Sequence, residues 1–184
     1  MKTLHYSLKL FFILISMTAF MIAEDTAREI NADSNEALAT FYNDIHGGKA
    51  FLKKAKGYVV FPDVKEAGFF FGGKYGEGVL LVNDKINDYY SITSASIGLQ
   101  AGIQSYSLII AFTSDTALNK FMNDDDWESD MDFNIAMAEW NNDEELDDID
   151  FGSNMVGFLF DSTGMMGNFT MEGTRFEKIT PDTD

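Results

Sequence analysis

Early in the chain, apolar residues recur at the three- and four-residue steps of one helix face. These residues are Leu38, Phe41, Tyr42 and Ile45. The segment 33–36 (DSNE) precedes them, with a cap residue and an acid three positions later, as at many helix starts. Gly47 and Gly48 end the pattern. We therefore expect a first helix from about Asn35 to Ile45.

Two shorter segments have the same period. Residues 49–56 (KAFLKKAK) predict a second helix in which Phe51, Leu52 and Ala55 pack while the lysines face outward. Residues 114–122 (SDTALNKFM) begin with a serine cap and continue with apolar residues at helical spacing. They predict a helix in the middle of the chain.

The rest of the pattern is typical of β-structure. Apolar, β-branched and aromatic runs begin at Gly57 and are separated by glycines rather than prolines. The predicted strands lie within 58–61, 67–82, 89–113, 155–160, 165–171 and 175–179. Segments beginning at 68, 97 and 157 share a loose order of glycine, apolar run, glycine and apolar run, which suggests repeated hairpins. The predicted fold is mainly β (α+β), a curled antiparallel sheet or barrel-like β domain with one or two N-terminal helices.

The first 23 residues have the pattern of a secretory signal peptide. Two lysines precede an uncharged apolar run of 14 residues, 10–23, and acidic residues begin at Glu24. Fourteen helical residues rise about 21 Å, short of the roughly 30 Å hydrocarbon core of a bilayer. We expect a signal peptide at 1–23 and one domain at 24–184, exported to the periplasm or the medium. An uncleaved membrane anchor is the alternative.

Charge excludes one class of partner. The chain has 13 basic and 30 acidic side chains, a formal charge of −17, and without Lys2 and Lys9 the counts are 11 and 30, or −19. Such a charge repels phosphate backbones, so we exclude non-specific nucleic-acid binding. Hydrophobic residues make up 46% of the chain, which is enough to fill a core and too many for a disordered acidic chain.

Several kinds of catalysis lack their residues. There is no cysteine, and the two histidines are His5 and His46. Disulfides, thiol catalysis and cysteine-ligated metals are therefore excluded, as is a multi-histidine metal site or a histidine triad within one chain. Acids are so abundant that no pair of carboxylates stands out as a glycosidase pair. We expect no enzyme and no cofactor.

Acidic side chains concentrate in one segment. Residues 124–150 carry thirteen of them. The spacing does not fit an EF-hand, because glycine is missing at the sixth loop position. We interpret the segment as a solvated acidic loop, and leave diffuse binding of divalent ions open.

A glycine-rich block, 72–78 (GGKYGEG), resembles a phosphate-binding loop only superficially. It lacks the Gly-Lys-Ser/Thr ending, and the following 79–82 (VLLV) predicts a strand rather than a helix. We interpret the glycines as structural, at bends of the sheet where a side chain does not fit or where φ is positive. The predicted structural glycines are Gly68, Gly72, Gly73, Gly76 and Gly78.

Residues 55–82 resemble the SYLF domain family. They contain a lysine-glycine entry into a strand (56–57), a KAGF-like turn (65–69, KEAGF) and a Gly-Gly-x-x-Gly-x-Gly-Val block (72–79). The similarity continues, in order, through 96–102, 107–110, 117–121, 158–161, 164–166 and 171–174. The chain is thus identified as an exported, bacterial-type, stand-alone member with a core at about 35–179.

This resemblance implies lipid binding without catalysis. Eukaryotic members bind phosphoinositide membranes, some bind or bundle actin, and the membrane contact is attributed to a basic, amphipathic N-terminal region. The matching region here is the first helix and the lysines that follow it. The resemblance therefore implies binding of anionic lipid. The alternative is a periplasmic or cell-surface structural protein that binds a protein partner through its acidic face; the oligomeric state stays open.

The candidate lipid site is the one grouped set of cations after the signal peptide. We call Lys49, Lys53, Lys54 and Lys56 the lysine cluster. Each lysine near an anionic surface contributes about 1 kcal/mol, and Phe51 and Leu52 would enter the interface beside them. The alternative interpretation is a solvated helix face whose lysines favour the helix dipole.

Overall fold

A computed structural model describes residues 25–124, 126–128, 135–138, 154–163, 171 and 173–183. The helices are α1 (Ala27–Asp44), α2 (Gly48–Lys54) and α3 (Asp115–Asn123). The strands are β1 (Gly57–Val82), β2 (Lys85–Phe112), β3 (Asp126–Glu128), β4 (Ile135–Ala138), β5 (Met155–Thr163) and β6 (Thr174–Ile179). The predicted mainly β class is confirmed; the sheet curls but is not closed into a barrel. The predicted signal peptide, strand 165–171 and most of the acidic segment lie outside the described residues.

The first helix begins earlier than its apolar pattern predicts. Thr26 is the cap, since its hydroxyl accepts from the Glu29 N–H at 3.3 Å while the Glu29 carboxylate accepts from the Thr26 N–H at 3.0 Å. This capping box stabilises a helix start at Ala27, eight residues before Asn35. The predicted start at 33–36 was wrong: these residues lie inside the helix, where Ser34 is buried.

Two very long strands form the centre of the domain. β1 has 26 residues and β2 has 28, and they pair antiparallel almost along their whole length. The turn between them is Asn83-Asp84, whose φ angles of 54° and 58° suit a tight hairpin turn. The repeated hairpins suggested by the segments 68–82 and 97–112 are not found: each segment lies within one strand. Their glycines bend single strands instead of ending them.

Two further strands pair with β2 on the side opposite β1. Residues 105–112 pair with β5 and residues 89–94 pair with β6, both antiparallel. β3 extends the sheet beyond β6, and β4 lies parallel to β5. Both ends of β2 are therefore central in the sheet, with β1 on the other side throughout.

The hairpin folds over itself around an inner core. Val59 and Phe61 from the first half of β1 share this core with Leu80 from its second half, with Ile92 of β2 and with Phe176 of β6. Helix α3 closes the inner core with Leu118 and Phe121. Residues twenty positions apart on one strand meet only if that strand turns back, so the curl is a direct result of burying both halves.

Glycines permit the close approach of the two halves of β1. A Cβ on Gly76 would lie 3.0 Å from the Asp63 carbonyl oxygen, and one on Gly57 would lie 3.0 Å from that of Leu81. The block 72–78 is inside β1, so the structural interpretation of its glycines is supported. The reason is space alone: none of the glycines in 72–78 has a positive φ.

The opposite face of the sheet forms a second core, which we call the helix core. Tyr58, Val60 and Phe158 face α1 and α2 there, with Phe41 of α1 at the centre. The Phe41 ring lies 5.2 Å from that of Phe158 and 5.4 Å from that of Phe160, at angles typical of favourable aromatic pairs.

Candidate functional site

Helix α2 is held firmly against the helix core, as a platform for the lysine cluster. It follows Gly47, whose φ of 83° makes the sharp turn from α1 possible. Gly48 lies against the Phe41 ring, where a Cβ would stand 3.0 Å from Cζ. Leu52 is buried at 3% exposure, and the Phe51 ring lies 5.3 Å from the Phe158 ring. A helix of seven residues is marginal alone, so this packing stabilises it.

The lysines project from this platform into solvent. Lys49, Lys53 and Lys54 are exposed along α2. The Lys49 ammonium also lies 5.4 Å from the centre of the Tyr42 ring, a cation–π contact. Lys56 follows the helix and its ammonium is 3.4 Å from the Asp115 carboxylate. The structure thus brings all four predicted lysines to one end of the domain, beside the helix core.

The predicted apolar contact needs a correction. Leu52 is buried in the helix core, so it cannot enter a lipid interface while the domain is folded. Phe51 is half-buried against the same core and keeps part of its ring at the surface. Both side chains on a short helix cannot face outward when one face must bury its apolar residues. Among the sequence-predicted apolar residues, Phe51 alone retains an exposed portion.

A polar chain connects this platform to the β1–β2 turn. The Tyr58 hydroxyl donates to the Asp84 carboxylate at 3.0 Å and hydrogen-bonds with the Tyr42 side chain. Burial, with the neighbouring Tyr42 and Asp84, raises the pKa of Tyr58 far above its usual value of 10. Burial also raises the pKa of Tyr42. Both phenols therefore stay protonated at neutral pH, and Tyr58 donates its proton to the hydrogen bond with Asp84.

A second group of polar residues lies where β1 bends, and the sequence analysis missed it. Lys74 is 7% exposed and faces the Glu66 carboxylate, which accepts a hydrogen bond from the Gln104 amide at 3.0 Å. Burial lowers the pKa of Lys74, and Glu66 partly opposes that shift. Period-2 spacing back from the buried Leu80 would have placed Lys74 on the inner face.

Glu77 is the other buried acid in this region. It is 6% exposed, and its carboxylate accepts from the backbone N–H of Asp25 at 3.1 Å and from the Tyr75 hydroxyl. The contacts fasten the segment before α1 onto β1. These groups hold the fold together, and they do not form a cleft with the lysine cluster.

Two remaining features give no further site. His46 is exposed after the end of α1. Over the described ranges, no three histidine or acidic side chains are grouped closely enough to hold a metal ion, and no helix is long and apolar enough to cross a bilayer.

Comparison with known families gives one match. Residues 93–182 match a family described as Ysc84: Las17-binding protein actin regulator. The match covers 90 of the 184 residues and agrees with the resemblance of the sequence to the SYLF domain family. The matched stretch begins in β2 and includes α3 and every strand to β6, and its residues contribute to both the inner core and the helix core. No curated protein matches the chain. At the level of the family, this is a binding domain.

Proposed function

We propose that the chain is an exported, non-enzymatic domain that binds anionic membrane surfaces through the lysine cluster. The observation that carries the proposal is the display of Lys49, Lys53 and Lys54 on one short helix that is packed rigidly on the helix core. On a chain of charge −17, such a local group of cations is the surface that attracts anionic lipid.

The estimated binding free energy favours weak, reversible binding. Three exposed lysines at about 1 kcal/mol each contribute about 3 kcal/mol, and the exposed part of Phe51 adds apolar contact. Lys56 contributes less because Asp115 already neutralises it. Asp44 at the end of α1 opposes the attraction. Binding should therefore weaken as salt rises, since the Debye length is about 8 Å at physiological ionic strength.

The test compares two triple variants of equal charge change. Lys49, Lys53 and Lys54 are changed to glutamine in one, and Lys65, Lys120 and Arg175 in the other. Flotation is measured with vesicles of phosphatidylcholine containing one quarter phosphatidylserine, with a chelator present. We expect the first variant to lose binding and the second to keep it. Equal flotation by both variants would contradict the role of the lysine cluster, and no flotation of the wild type would contradict membrane binding itself.

A protein partner is the second candidate. The matched family is described by its binding to Las17 and by actin regulation, so a protein ligand is consistent with it. On this chain the acidic C-terminal half would offer the contact, because residues 91–184 hold 3 basic and 19 acidic side chains. Pull-down from envelope extract with the wild type and the two triple variants distinguishes the candidates, since a partner of the acidic half would be retained by all three.

A further inference from the structure

An exposed isoleucine lies next to the β1–β2 turn. Among the described residues, two large apolar side chains are strongly exposed: Ile86 at 50% and Ile103 at 79%. Ile86 follows the Asn83-Asp84 turn as the second residue of β2. A single exposed isoleucine needs no explanation by itself. The residues around Ile86 are what suggest a binding role for it.

Leu81 joins Ile86 to the core on which α2 rests. Ile86 and Leu81 are directly opposite in the β1–β2 pairing, so their side chains share one face of the sheet. Leu81 packs on the helix core together with Tyr42, Phe51 and Ala55. Its carbonyl also lies against Gly57, the first residue of β1 after α2. Ile86 therefore continues the surface formed by α2 and the start of β1.

The turn before Ile86 is fixed to the same surface from the other side. Asp84 accepts a hydrogen bond from Tyr58, Tyr58 bonds to Tyr42, and the Tyr42 ring lies under the Lys49 ammonium. This continuous chain of contacts joins the lysine cluster to the turn. These contacts link the turn to Lys49 through Tyr58 and Tyr42.

Charge at the turn is compatible with an anionic surface. Lys85 is exposed and adds a cation directly before Ile86. Two acids are near: Asp84 is engaged by Tyr58, and the Asp88 carboxylate lies 2.5 Å from the Lys178 ammonium. Asp88 is thus paired with a cation, whereas Asp84 keeps its charge, which the exposed Lys85 balances. An exposed apolar side chain next to a cation in the chain suits the boundary between headgroups and acyl chains.

We propose that the β1–β2 turn is the apolar half of the membrane contact, with Ile86 entering the bilayer interface and Lys85 at the headgroups. This proposal rests on the proposed function, because α2 supplies the electrostatic attraction. The occupant is the surface of an anionic bilayer. Ile86 takes the role that sequence reasoning gave to Leu52, which the helix core buries.

The chain has no cysteine, so single labels can be placed without ambiguity. Ile86→Cys and Ile103→Cys are each labelled with a polarity-sensitive fluorophore. Ile103 is the matched control, since it is an exposed isoleucine on the same strand. It pairs with Ala67, nine residues along β1 from Tyr58, a length along the strand of roughly 30 Å at about 3.3 Å per residue. On adding the same phosphatidylserine vesicles, we expect a blue shift at position 86 and none at 103.

A second pair of variants measures the contribution to binding. Ile86→Asn should lower vesicle partitioning about five-fold, equivalent to about 1 kcal/mol, and Ile103→Asn should leave it unchanged. The five-fold ratio should persist at high salt, because apolar contact is not screened, whereas loss of the lysines changes the salt dependence. Wild-type flotation with no shift at 86 and no effect of Ile86→Asn would overturn this proposal while the proposed function stands. No wild-type flotation would overturn both.

Discussion

In the folded strand β1, Gly78 lies against the carbonyl group of Val60 with no room for a side chain between them. A Cβ on Gly78 would stand 2.7 Å from Cδ1 of Phe61 and 2.9 Å from the carbonyl carbon of Val60. Distances below 3.0 Å are essentially never found for real Cβ atoms. The two halves of β1 thus cross at backbone contact, and this crossing sets the curl that brings the inner core together.

Alanine substitutions in the glycine block should destabilise the domain in a defined order. Gly78→Ala should cost most, about 3 kcal/mol or more, because backbone atoms are in the way. Gly76→Ala is intermediate, with its Cβ 3.0 Å from the Asp63 carbonyl oxygen, and Gly73→Ala is mildest, at 3.2 Å from that of Ser94. Urea unfolding of the three variants gives the order. Equal losses would show that the crossing is not the reason for the glycines, and a nucleotide-induced rise in the wild-type melting temperature would contradict their structural role.

Periodicity predicted the apolar helix faces and the strand composition, because it acts over a few residues, whereas the cap of α1 was predicted too late in the chain. Helix α3 begins after Ser114 as predicted, and the apolar face of α1 is the one that Leu38 and Phe41 define. Continuity of the strands was not predictable in the same way. Glycines that signal a break between hairpins also allow one strand to bend, and only the pairing with distant residues decides between the two.

The candidate lipid site, too, could be predicted from the sequence only in part. The sequence marks the lysine cluster by charge alone, and the structure places it on one surface. Which neighbour faces outward depends on a tertiary contact: Leu52 is buried because Phe41 and Phe158 lie beneath α2. Ile86 could not be singled out, since its proximity to α2 arises from the pairing with Leu81. Lys74 was hidden because a single lysine among glycines suggests an exposed loop.

Lys74 should make stability rise with pH on the alkaline side of neutrality. Burial holds its folded pKa below the ordinary value of 10.5, so between these values the unfolded chain binds more protons than the folded one. Unfolding free energy then increases with pH, by at most about 1.36 kcal/mol per unit. The measurement is urea unfolding of wild type and Lys74→Met from about pH 7 to about pH 10. The difference, wild type minus variant, should grow with pH; a constant difference would show that the Lys74 pKa is ordinary.

The hydrogen bond between Tyr58 and Asp84 should be worth about 1 kcal/mol. Tyr58→Phe removes the donor and Asp84→Asn weakens the acceptor, so a double-mutant cycle isolates their coupling. We expect the two losses in unfolding free energy to be non-additive by about that amount. Strict additivity would mean that the turn is held by other contacts. In the same variants, Ile86-dependent vesicle binding should also fall, because the turn is no longer fixed to the α2 surface.

The last prediction concerns export and the start of the mature chain. The backbone N–H of Asp25 donates to the buried Glu77 carboxylate at 3.1 Å, Thr26 caps α1, and the N–H of Ala27 donates to the Asp182 carbonyl at 3.1 Å. A chain that begins at Glu24 keeps all three contacts, so N-terminal sequencing of the exported protein should find a start at or before Asp25. A chain that begins at Arg28 loses them, including a hydrogen bond to a charged group and a helix cap, and should be about 2 to 4 kcal/mol less stable. An exported form that begins after Ala27, or equal urea midpoints for the two chains, would contradict this account of the junction.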